Sequence, residues 1–377
     1  MAKKKKKRVY KRSKSILTQI KKPAFLRFLG FIADTQGCGT IRVIYPYLLL
    51  NHIIKKDLRV TATYMANFIP HPEYYKDFTL VQFQRSATDQ HYQMFMHFKQ
   101  KIAPVAKVPI IYEIDDLLIN IPEWNYAYEY YKKNENYVKK IIGLADGVVT
   151  STIPLADVYS EFNKNIVVIL NHLPKFIWGD IYPAHEYYQG GKIKILWAGS
   201  ANHFSIKHLA EKGIHGGDFG DELMNFIRKT TDKYEWIFMG AMPMELENMK
   251  NKIKFVPWVD VFNYPRVMKS LEADMGIAPL VPGIFNESKS NIKQLEFVAS
   301  GMPGVYSDIY PYKNTTLKCK TDEEIIANIE KLADDIDFRA KVFESDYRAV
   351  KNQLFWEDNN NLMKYIDSYL SLFGKRL

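Results

Sequence analysis

Short apolar runs alternate with helix-like stretches along most of the chain, and this rhythm limits the possible folds more than any other feature. Strands separated by connections of helical length predict βαβ units and therefore parallel sheets. The predicted strands are residues 28–33, 59–64, 78–84, 108–114, 147–150 and 166–170 in the first half, and 192–198, 236–239, 253–256, 275–278 and 304–307 in the second. The polar segment 183–191, which ends in Gly190 and Gly191, predicts a linker between the halves.

The sequence therefore predicts an α/β protein with two Rossmann-like domains whose parallel sheets face a central cleft. A chain of 377 residues is long enough for two such domains. The expected parts are a tail of residues 1–22, a first domain of 23–185, a second domain of 190–352, and a C-terminal helical segment of 353–377 that returns to the first domain. The predicted helices are residues 40–54, 128–142, 290–299, 322–332 and 356–373.

Positive charge is concentrated at the N-terminus. Residues 1–33 hold twelve Lys and Arg and no Asp or Glu, so the net charge of +10 belongs to this segment and the rest of the chain is close to neutral. Such a run predicts a tail, residues 1–22, that stays disordered until it meets a polyanion. Double-stranded DNA and anionic lipid headgroups are the candidate partners. A solubilising tail without a partner is the alternative.

Several features favour a cytoplasmic protein. Cys38 and Cys319 lack metal-ligand spacing and cannot form a disulfide framework, which fits a reducing compartment. We expect no transmembrane helix, because no run of 18 apolar residues occurs. A signal peptide is also not expected, because Arg27 interrupts the apolar segment 24–33. The sequence makes no prediction of the oligomeric state.

Two motifs follow predicted strands of the first half. Gly39 belongs to a glycine turn, residues 37–40, at the start of the first helix, where unpaired N–H groups favour an anion. A plain tight turn is the alternative, since the third glycine of a dinucleotide fingerprint is missing. Asp115 and Asp116 end a central strand, where ligands bind in open parallel sheets. They are candidates to bind sugar hydroxyls, an acceptor or a metal; a turn cap and a solvated carboxylate are the alternatives.

A third motif surrounds the predicted helix 290–299. Lys289, Lys293 and Glu296 lie at i, i+4 and i+7, so they share one helix face. Lys289 and Ser290 stand at the helix start, which suits a diphosphate, and Glu296 could accept hydrogen bonds from both hydroxyls of a ribose. The alternative is a surface helix with Lys–Glu pairs.

Residues 273–303 resemble the donor-binding end of GT-B glycosyltransferases, notably family 4. The combination of Ser288, Lys289 and Ser290 with Lys293 is similar to a subgroup common in phage and bacterial genomes. The resemblance implies the GT-B fold and a nucleoside-diphosphate sugar donor, with a UDP-sugar the first expectation. It implies that Glu296 holds the donor ribose. The family's second Glu, eight residues earlier, is replaced here by Ser288, with Glu287 beside it as a candidate catalytic residue.

The same resemblance assigns roles to the second half. Gly199 and Ser200 would open a phosphate loop, on which His203 and Lys207 are the available donors because the family's Arg position is Ser200. Trp258 would form the wall that receives the nucleobase, although core packing is nearly as plausible for it. The resemblance requires no metal and no further cofactor.

The predicted reaction is transfer of a hexosyl or pentosyl group to an acceptor hydroxyl, with retention implied by the resemblance. Asp115 or Asp116 would orient the acceptor or the donor sugar, and Arg85 would contact phosphate. The basic tail and the phage-like motif favour hydroxymethylated bases of phage DNA as the acceptor. If the chain is phage-encoded, the expected location is the cytoplasm of the bacterial host. A cell-envelope or lipid-linked glycan is an alternative. A non-catalytic nucleic-acid-binding protein on a GT-B scaffold is another, because Ser288 departs from the family pattern.

Overall fold

The computed structural model describes residues 24–55, 58–188 and 190–374, in which two β-sheets form the centre of the molecule. The predicted basic tail, residues 1–22, lies outside the described residues. In the first sheet the strands are β1 (Ala24–Phe31), β2 (Ile54–Lys55), β3 (Leu58–Met65), β4 (Leu80–Gln84), β5 (Ile110–Ile114), β6 (Gly147–Thr150) and β7 (Ile166–Val168). Their spatial order is β2-β3-β1-β4-β5-β6-β7, and all neighbours are parallel except β2 and β3.

The second sheet is parallel throughout its described strands. These are β8 (Lys194–Gly199), β9 (Glu235–Gly240), β10 (Lys254–Pro257), β11 (Met275–Ala278), β12 (Gly304–Ser307) and β13 (Leu317–Cys319). They lie in the order β10-β9-β8-β11-β12-β13. Two sheets of parallel strands joined through helices confirm the predicted α/β class with two Rossmann-like units.

Helices cover both faces of each sheet, as parallel sheets require. Those preceding the second sheet are Gly37–Gly39, Thr40–Ile44, Tyr45–Leu50, Asp89–His97, Phe98–Ile102, Ala103–Ala106, Tyr128–Leu144, Ile153–Tyr159 and Lys175–Trp178. Those that follow are Lys207–Ala210, Asp221–Thr230, Tyr264–Ser270, Ile284–Glu287, Ile292–Ala299, Asp322–Asp334, Ile336–Val350 and Asn361–Ser371. Short 3₁₀ turns are Pro72–Tyr75, Ala184–Glu186, Ala201–His203, Met244–Met249 and Tyr310–Tyr312. No helix in these described segments is both long and apolar enough to cross a membrane.

Several element boundaries differ from the sequence-based expectation. The first strand begins at Ala24 rather than at residue 28, with Arg27 inside it, since the Arg27 guanidinium reaches Asp77 and the Phe78 ring. The first helical segment ends at Leu50 rather than at residue 54. The next residue, Asn51, is held by two side-chain hydrogen bonds to the backbone of Ala62 in β3, and the chain turns there into the strand.

The helix predicted at 290–299 begins at Ile292, so Lys289 and Ser290 lie on the preceding loop. The last helix begins at Asn361 rather than at residue 356, after Asn360 in a left-handed conformation. A left-handed residue interrupts helical hydrogen bonding, which explains the later start.

The C-terminal helix packs against the first sheet. Its Tyr369 hydroxyl donates a hydrogen bond to the buried Gln82 amide of β4, and its ring packs against Phe28 of β1 at 5.9 Å between centroids. Before this helix, the backbone N–H groups of Leu173 and Trp356 bond to the carbonyls of Leu354 and Leu173. The chain thus leaves the second sheet and contacts the first again. The predicted domain boundaries themselves stay predictions.

A buried ion pair joins the second sheet to the helices that follow it. Arg339 Nη1 lies 2.7 Å from Asp274 Oδ1 in the segment before β11, and Arg339 Nε donates to the Leu332 carbonyl at 2.9 Å. Arg339 is 1% exposed, so the charge has no access to water.

We expect Arg339→Ala to lower the free energy of unfolding by about 3–5 kcal/mol, because it leaves the buried Asp274 carboxylate without its cation. Urea denaturation followed by tryptophan fluorescence measures this. The control is Lys252→Ala, whose pair with Asp232 is exposed and 3.5 Å long, and which should cost less than about 1 kcal/mol. Equal losses in the two variants would contradict the assignment.

Candidate functional site

A cleft of about 280 Å³ lies where the carboxyl ends of the two sheets face each other. Parallel strands bring the loops that follow them to the same edge, so each sheet presents its loops to the cleft. The first sheet contributes the turn after β1 and the loop after β5. The second contributes the loops after β8, β9 and β10 and the segment between β11 and helix Ile292–Ala299.

Ten of the residues predicted as site residues line this cleft together. They are Asp115, Asp116, Gly199, Ser200, His203, Trp258, Lys289, Ser290, Lys293 and Glu296. They come from loops of both sheets. Because these loops are far apart in the sequence, residue spacing could not predict that they meet.

Four predicted site residues lie outside the cleft lining. Gly39 occupies a tight turn, where an added Cβ would stand 1.7 Å from the Asp34 carbonyl oxygen. The Lys207 side chain is 78% exposed. Glu287 accepts a hydrogen bond from the Tyr310 backbone N–H at 2.7 Å. Ser288 is buried.

On the first-sheet wall, one arginine holds both strand-end carboxylates. Arg85 Nη1 lies 3.3 Å from Asp115 Oδ1 and 3.8 Å from Asp116 Oδ2. Its Nη2 donates to the Tyr131 hydroxyl at 3.2 Å, and its Nη1 lies 2.7 Å from Cys38 Sγ. Burial raises the pKa of Asp116 above its ordinary value, against the opposing charge of Arg85. The sequence analysis assigned Arg85 to a phosphate, whereas the structure pairs it with these carboxylates behind the residues that line the cleft.

Behind this wall a second ion pair connects the first sheet to the cleft. Arg42 Nε lies 2.6 Å from Glu113 Oε1, and both side chains are buried. Burial raises the pKa of Glu113 to about 7, against the lowering effect of Arg42. Arg42 Nη1 also donates to Asn171 Oδ1 at 2.8 Å, and Asn171 Nδ2 donates to Ser290 Oγ at 2.8 Å. This chain of contacts links the first sheet to the loop that carries Lys289.

On the second-sheet wall, the helix residues form a compact triad. Lys293 Nζ lies 2.8 Å from Glu296 Oε2, and the Tyr264 hydroxyl donates to the same oxygen at 3.1 Å. The cation also lies above the Tyr264 ring, 5.7 Å from its centroid. Both contacts of Glu296 use Oε2, and its side chain faces the cleft. The predicted surface Lys–Glu pair is therefore part of the cleft wall.

Lys289 belongs to a second polar group, which includes a carboxylate that the sequence analysis missed. Asp218 Oδ2 lies 2.8 Å from His203 Nδ1 and 3.8 Å from Lys289 Nζ. Asp218 Oδ1 accepts from the Val281 backbone N–H at 3.0 Å and from Asn286 Nδ2 at 2.6 Å. No motif indicated Asp218, because it lies in a glycine-rich turn fifteen residues after His203.

Burial and the Lys289 charge lower the pKa of His203 to about 4. Burial alone would raise the pKa of Asp218, but the His203 hydrogen bond and the Lys289 charge lower it below its ordinary value. Burial also lowers the pKa of Lys289, against the attraction of Asp218. At neutral pH the group therefore contains an ionised carboxylate and a neutral imidazole.

Two half-buried glycines form the floor of the cleft. Gly199 and Gly240 end neighbouring strands, and a Cβ on Gly240 would stand 2.4 Å from the Gly199 carbonyl oxygen. Gly240 has φ = 96°, a conformation that favours glycine. Beside them the Trp258 side chain is 59% exposed, so its ring is open to a ligand rather than packed in the core. Among the described residues, no group of three or more His, Cys, Asp or Glu could hold a metal ion.

No protein-family model matches this sequence, and no curated protein matches it either. Solved structures do match. An O-GlcNAc transferase from Thermobaculum terrenum has a TM-score of 0.53 and 12% identity, over 93% of this chain and 68% of that one. The N-terminal domain of a trehalose-6-phosphate phosphatase from Candida albicans has a TM-score of 0.54 and 10% identity, over 92% and 97%. At such identities the likeness concerns the fold, which is the two-domain GT-B architecture.

We expect Gly240→Ala to destabilise the protein more than Gly213→Ala does. Gly213 also has positive φ, 75°, but its Cβ would meet open space, so it measures the backbone strain alone, about 1–2 kcal/mol. At Gly240 the contact with Gly199 adds to that strain. Thermal unfolding followed by circular dichroism compares the two variants, and equal midpoints would contradict the close approach described here.

Proposed function

We propose that this protein transfers a sugar from a nucleoside-diphosphate sugar to an acceptor hydroxyl. The observation that carries the proposal is the convergence of Lys289, Lys293 and Glu296 with the exposed Trp258 in one cleft. Cations for a diphosphate, a carboxylate for a ribose and an aromatic face for a base are the groups that a nucleoside diphosphate requires.

The diphosphate would lie against the start of helix Ile292–Ala299. The first N–H groups of a helix have no partner within the helix and attract anions. Lys289 and Lys293 stand on this side of the cleft, and the backbone at Gly199 and Ser200 allows close approach. Preorganised cations and N–H groups stabilise the charge that develops on a leaving diphosphate.

The nucleoside would extend from the diphosphate toward Glu296 and Trp258. Glu296 Oε2 is already held by Lys293 and Tyr264, which orients Oε1 for the ribose hydroxyls. The Trp258 ring offers a stacking surface for a base, and such stacking tolerates different bases. A UDP-sugar is the first donor to test.

The transferred sugar would face the opposite wall, where Arg85 holds Asp115 and Asp116 in place. We assign these carboxylates to the sugar or acceptor hydroxyls. Glu287, the other catalytic candidate, is bonded to the Tyr310 backbone and stays outside the cleft lining, so Asp115 and Asp116 are the better assignment. Retention of the anomeric configuration, by front-face attack, belongs to this proposal.

For the acceptor we retain the hydroxymethylated bases of phage DNA as the first hypothesis, with a lipid-linked or envelope glycan as the second. The DNA hypothesis depends on the basic segment 1–22, which is outside the described residues. Both acceptors can be offered to the same enzyme preparation.

The donor assignment predicts weaker binding of nucleoside diphosphates after loss of either cleft lysine. Lys289→Ala and Lys293→Ala should each weaken UDP binding about thirtyfold, since a charge-assisted hydrogen bond contributes about 2 kcal/mol. The control is Lys207→Ala, which removes an exposed lysine outside the cleft and should leave the affinity unchanged. Isothermal titration calorimetry measures all three, and a loss in Lys207→Ala equal to the others would contradict the assignment.

The reaction itself is tested by diphosphate release from mixed nucleotide-sugars. Release stimulated by hydroxymethylated duplex DNA, but not by unmodified DNA, supports the DNA acceptor. Release stimulated by lipid-linked acceptors supports the glycan hypothesis. A protein that binds DNA, but binds no nucleoside diphosphate and releases none, would overturn the enzyme assignment.

A further inference from the structure

The charges around the cleft are already compensated within the protein. Lys289 and Lys293 line the cleft, and Arg85 contacts its lining residues from behind. Each has a carboxylate partner: Lys289 pairs with Asp218, Lys293 with Glu296, and Arg85 with Asp115 and Asp116. With all four carboxylates ionised and His203 neutral, these charges leave one net negative charge. A proton on Asp116, whose pKa burial raises, would leave none. The compensation is unfavourable for a ligand that brings two or more negative charges of its own.

Additional positive charge at the site would therefore strengthen the binding that Lys289, Lys293 and the helix N–H groups provide. A cation whose partner carboxylate stays ionised attracts an anion only weakly, because the two opposite charges act together on the ligand. Among the described residues that line the cleft, His203 is the one neutral base that can acquire a positive charge by taking up a proton.

The hydrogen bonds around His203 determine where that proton would go. Asp218 Oδ1 accepts from the Val281 N–H and from the Asn286 amide, and Oδ2 lies 2.8 Å from His203 Nδ1. The lowered pKa of Asp218 keeps the carboxylate ionised, so Oδ2 is an acceptor as well. His203 Nδ1 therefore carries a hydrogen in the neutral ring. The second ring nitrogen, Nε2, is then without a proton, and it lies on the ring edge opposite the buried carboxylate.

That second edge lies next to the cleft residue Gly199: an added Cβ on Gly199 would stand 3.2 Å from His203 Cδ2, the ring carbon bonded to Nε2. The imidazole lines the cleft beside Gly199, and its side chain is 18% exposed although Nδ1 is bonded to a buried carboxylate. A phosphate oxygen placed next to an unprotonated Nε2 would repel its lone pair. The same oxygen next to a protonated Nε2 would form a charge-assisted hydrogen bond.

We propose that binding of a nucleoside diphosphate in this cleft draws one proton onto His203 Nε2, and that the resulting imidazolium bridges the diphosphate and Asp218. This inference rests on the proposed function, because it assumes a diphosphate in this cleft. It converts the neutral imidazole into the positive charge that the empty cleft lacks, with Asp218 stabilising it from behind.

The other groups around His203 fit this role. Lys289 and Lys293 oppose its protonation in the free protein, and a bound diphosphate would offset both charges. The Trp197 ring meets the imidazole edge-on at 5.6 Å between centroids and carries no charge. Across the cleft, Asp116 is the competing proton acceptor, because burial raises its pKa. A test must therefore separate His203 from Asp116.

The number of protons taken up is measured by titrating UDP into the full-length protein at pH 7 in buffers of different ionisation enthalpy. We expect uptake of about one proton by the wild-type protein beyond that measured for His203→Gln, whose amide can still donate to Asp218 but cannot gain a charge. Asp116→Asn should retain the uptake. Equal uptake by the wild-type protein and His203→Gln, or loss of it in Asp116→Asn alone, would overturn the assignment to His203.

The pH dependence gives an independent measurement. The pKa of His203 is about 4 in the free protein and higher in the complex, so UDP affinity should rise as the pH falls between the two values, by up to about tenfold per pH unit. UDP's own phosphate ionisation contributes equally to His203→Gln, which therefore serves as the matched control. Parallel pH profiles for the two proteins would contradict the inference.

Failure of this inference is distinguishable from failure of the proposed function. If the wild-type protein binds UDP, GDP or ADP without extra proton uptake, the donor site stands and the role of His203 is wrong. If it binds none of these nucleotides at any pH, the proposed function fails and the inference fails with it.

Discussion

The opposition of two parallel sheets is the constraint on which the rest of this structure depends. A parallel sheet sends every strand in the same direction, so the loops that follow its strands gather at one edge. When two such edges face each other, side chains from distant parts of the sequence share one space. The central strands β4, β5, β6 and β11 are buried along their whole length, which leaves the loop edge as the place where polar groups meet.

Hydrogen bonds connect the loop edge of the first sheet to that of the second. Asn171, which accepts from Arg42, donates to Ser290 beside Lys289. The Thr152 hydroxyl donates to the Ser288 carbonyl of the same loop at 2.8 Å. The loop that carries Lys289 is thus bonded to the first sheet although it belongs to the second. Ser288 contributes to this connection through its backbone carbonyl, which accepts the Thr152 hydrogen bond.

Charge pairing within the cleft has a structural and a chemical consequence. Paired groups such as Lys293 and Glu296 hold each other in one conformation, which orients the wall before any ligand arrives. The same pairing reduces the attraction of the site for an anion. Under our proposal, the neutral His203, which is bonded to the buried Asp218, takes up a proton when a diphosphate binds. It thereby supplies a positive charge that the preorganised ion pairs do not.

The sequence by itself determined the fold class and most of the cleft. The alternation of apolar runs and helical stretches predicted two parallel sheets, because strand burial and connection length are local properties. Asp115 and Asp116 were predicted as site residues from their position after a strand, and Lys293 and Glu296 from their helical spacing. The structure places these residues together at the cleft because the loop edge of a parallel sheet follows directly from strand direction, and their roles stay predictions.

Only the tertiary structure decided which groups contact each other. Asp218 and its bonds to His203 and Lys289 follow no spacing rule, since their segments meet through the folding of separate loops. Lys207 shares a predicted phosphate loop with His203 but points to solvent. Arg85 was expected to contact phosphate, and the structure pairs it with Asp115 and Asp116 instead. Side-chain partners depend on distances across the chain, and local patterns carry no information about them.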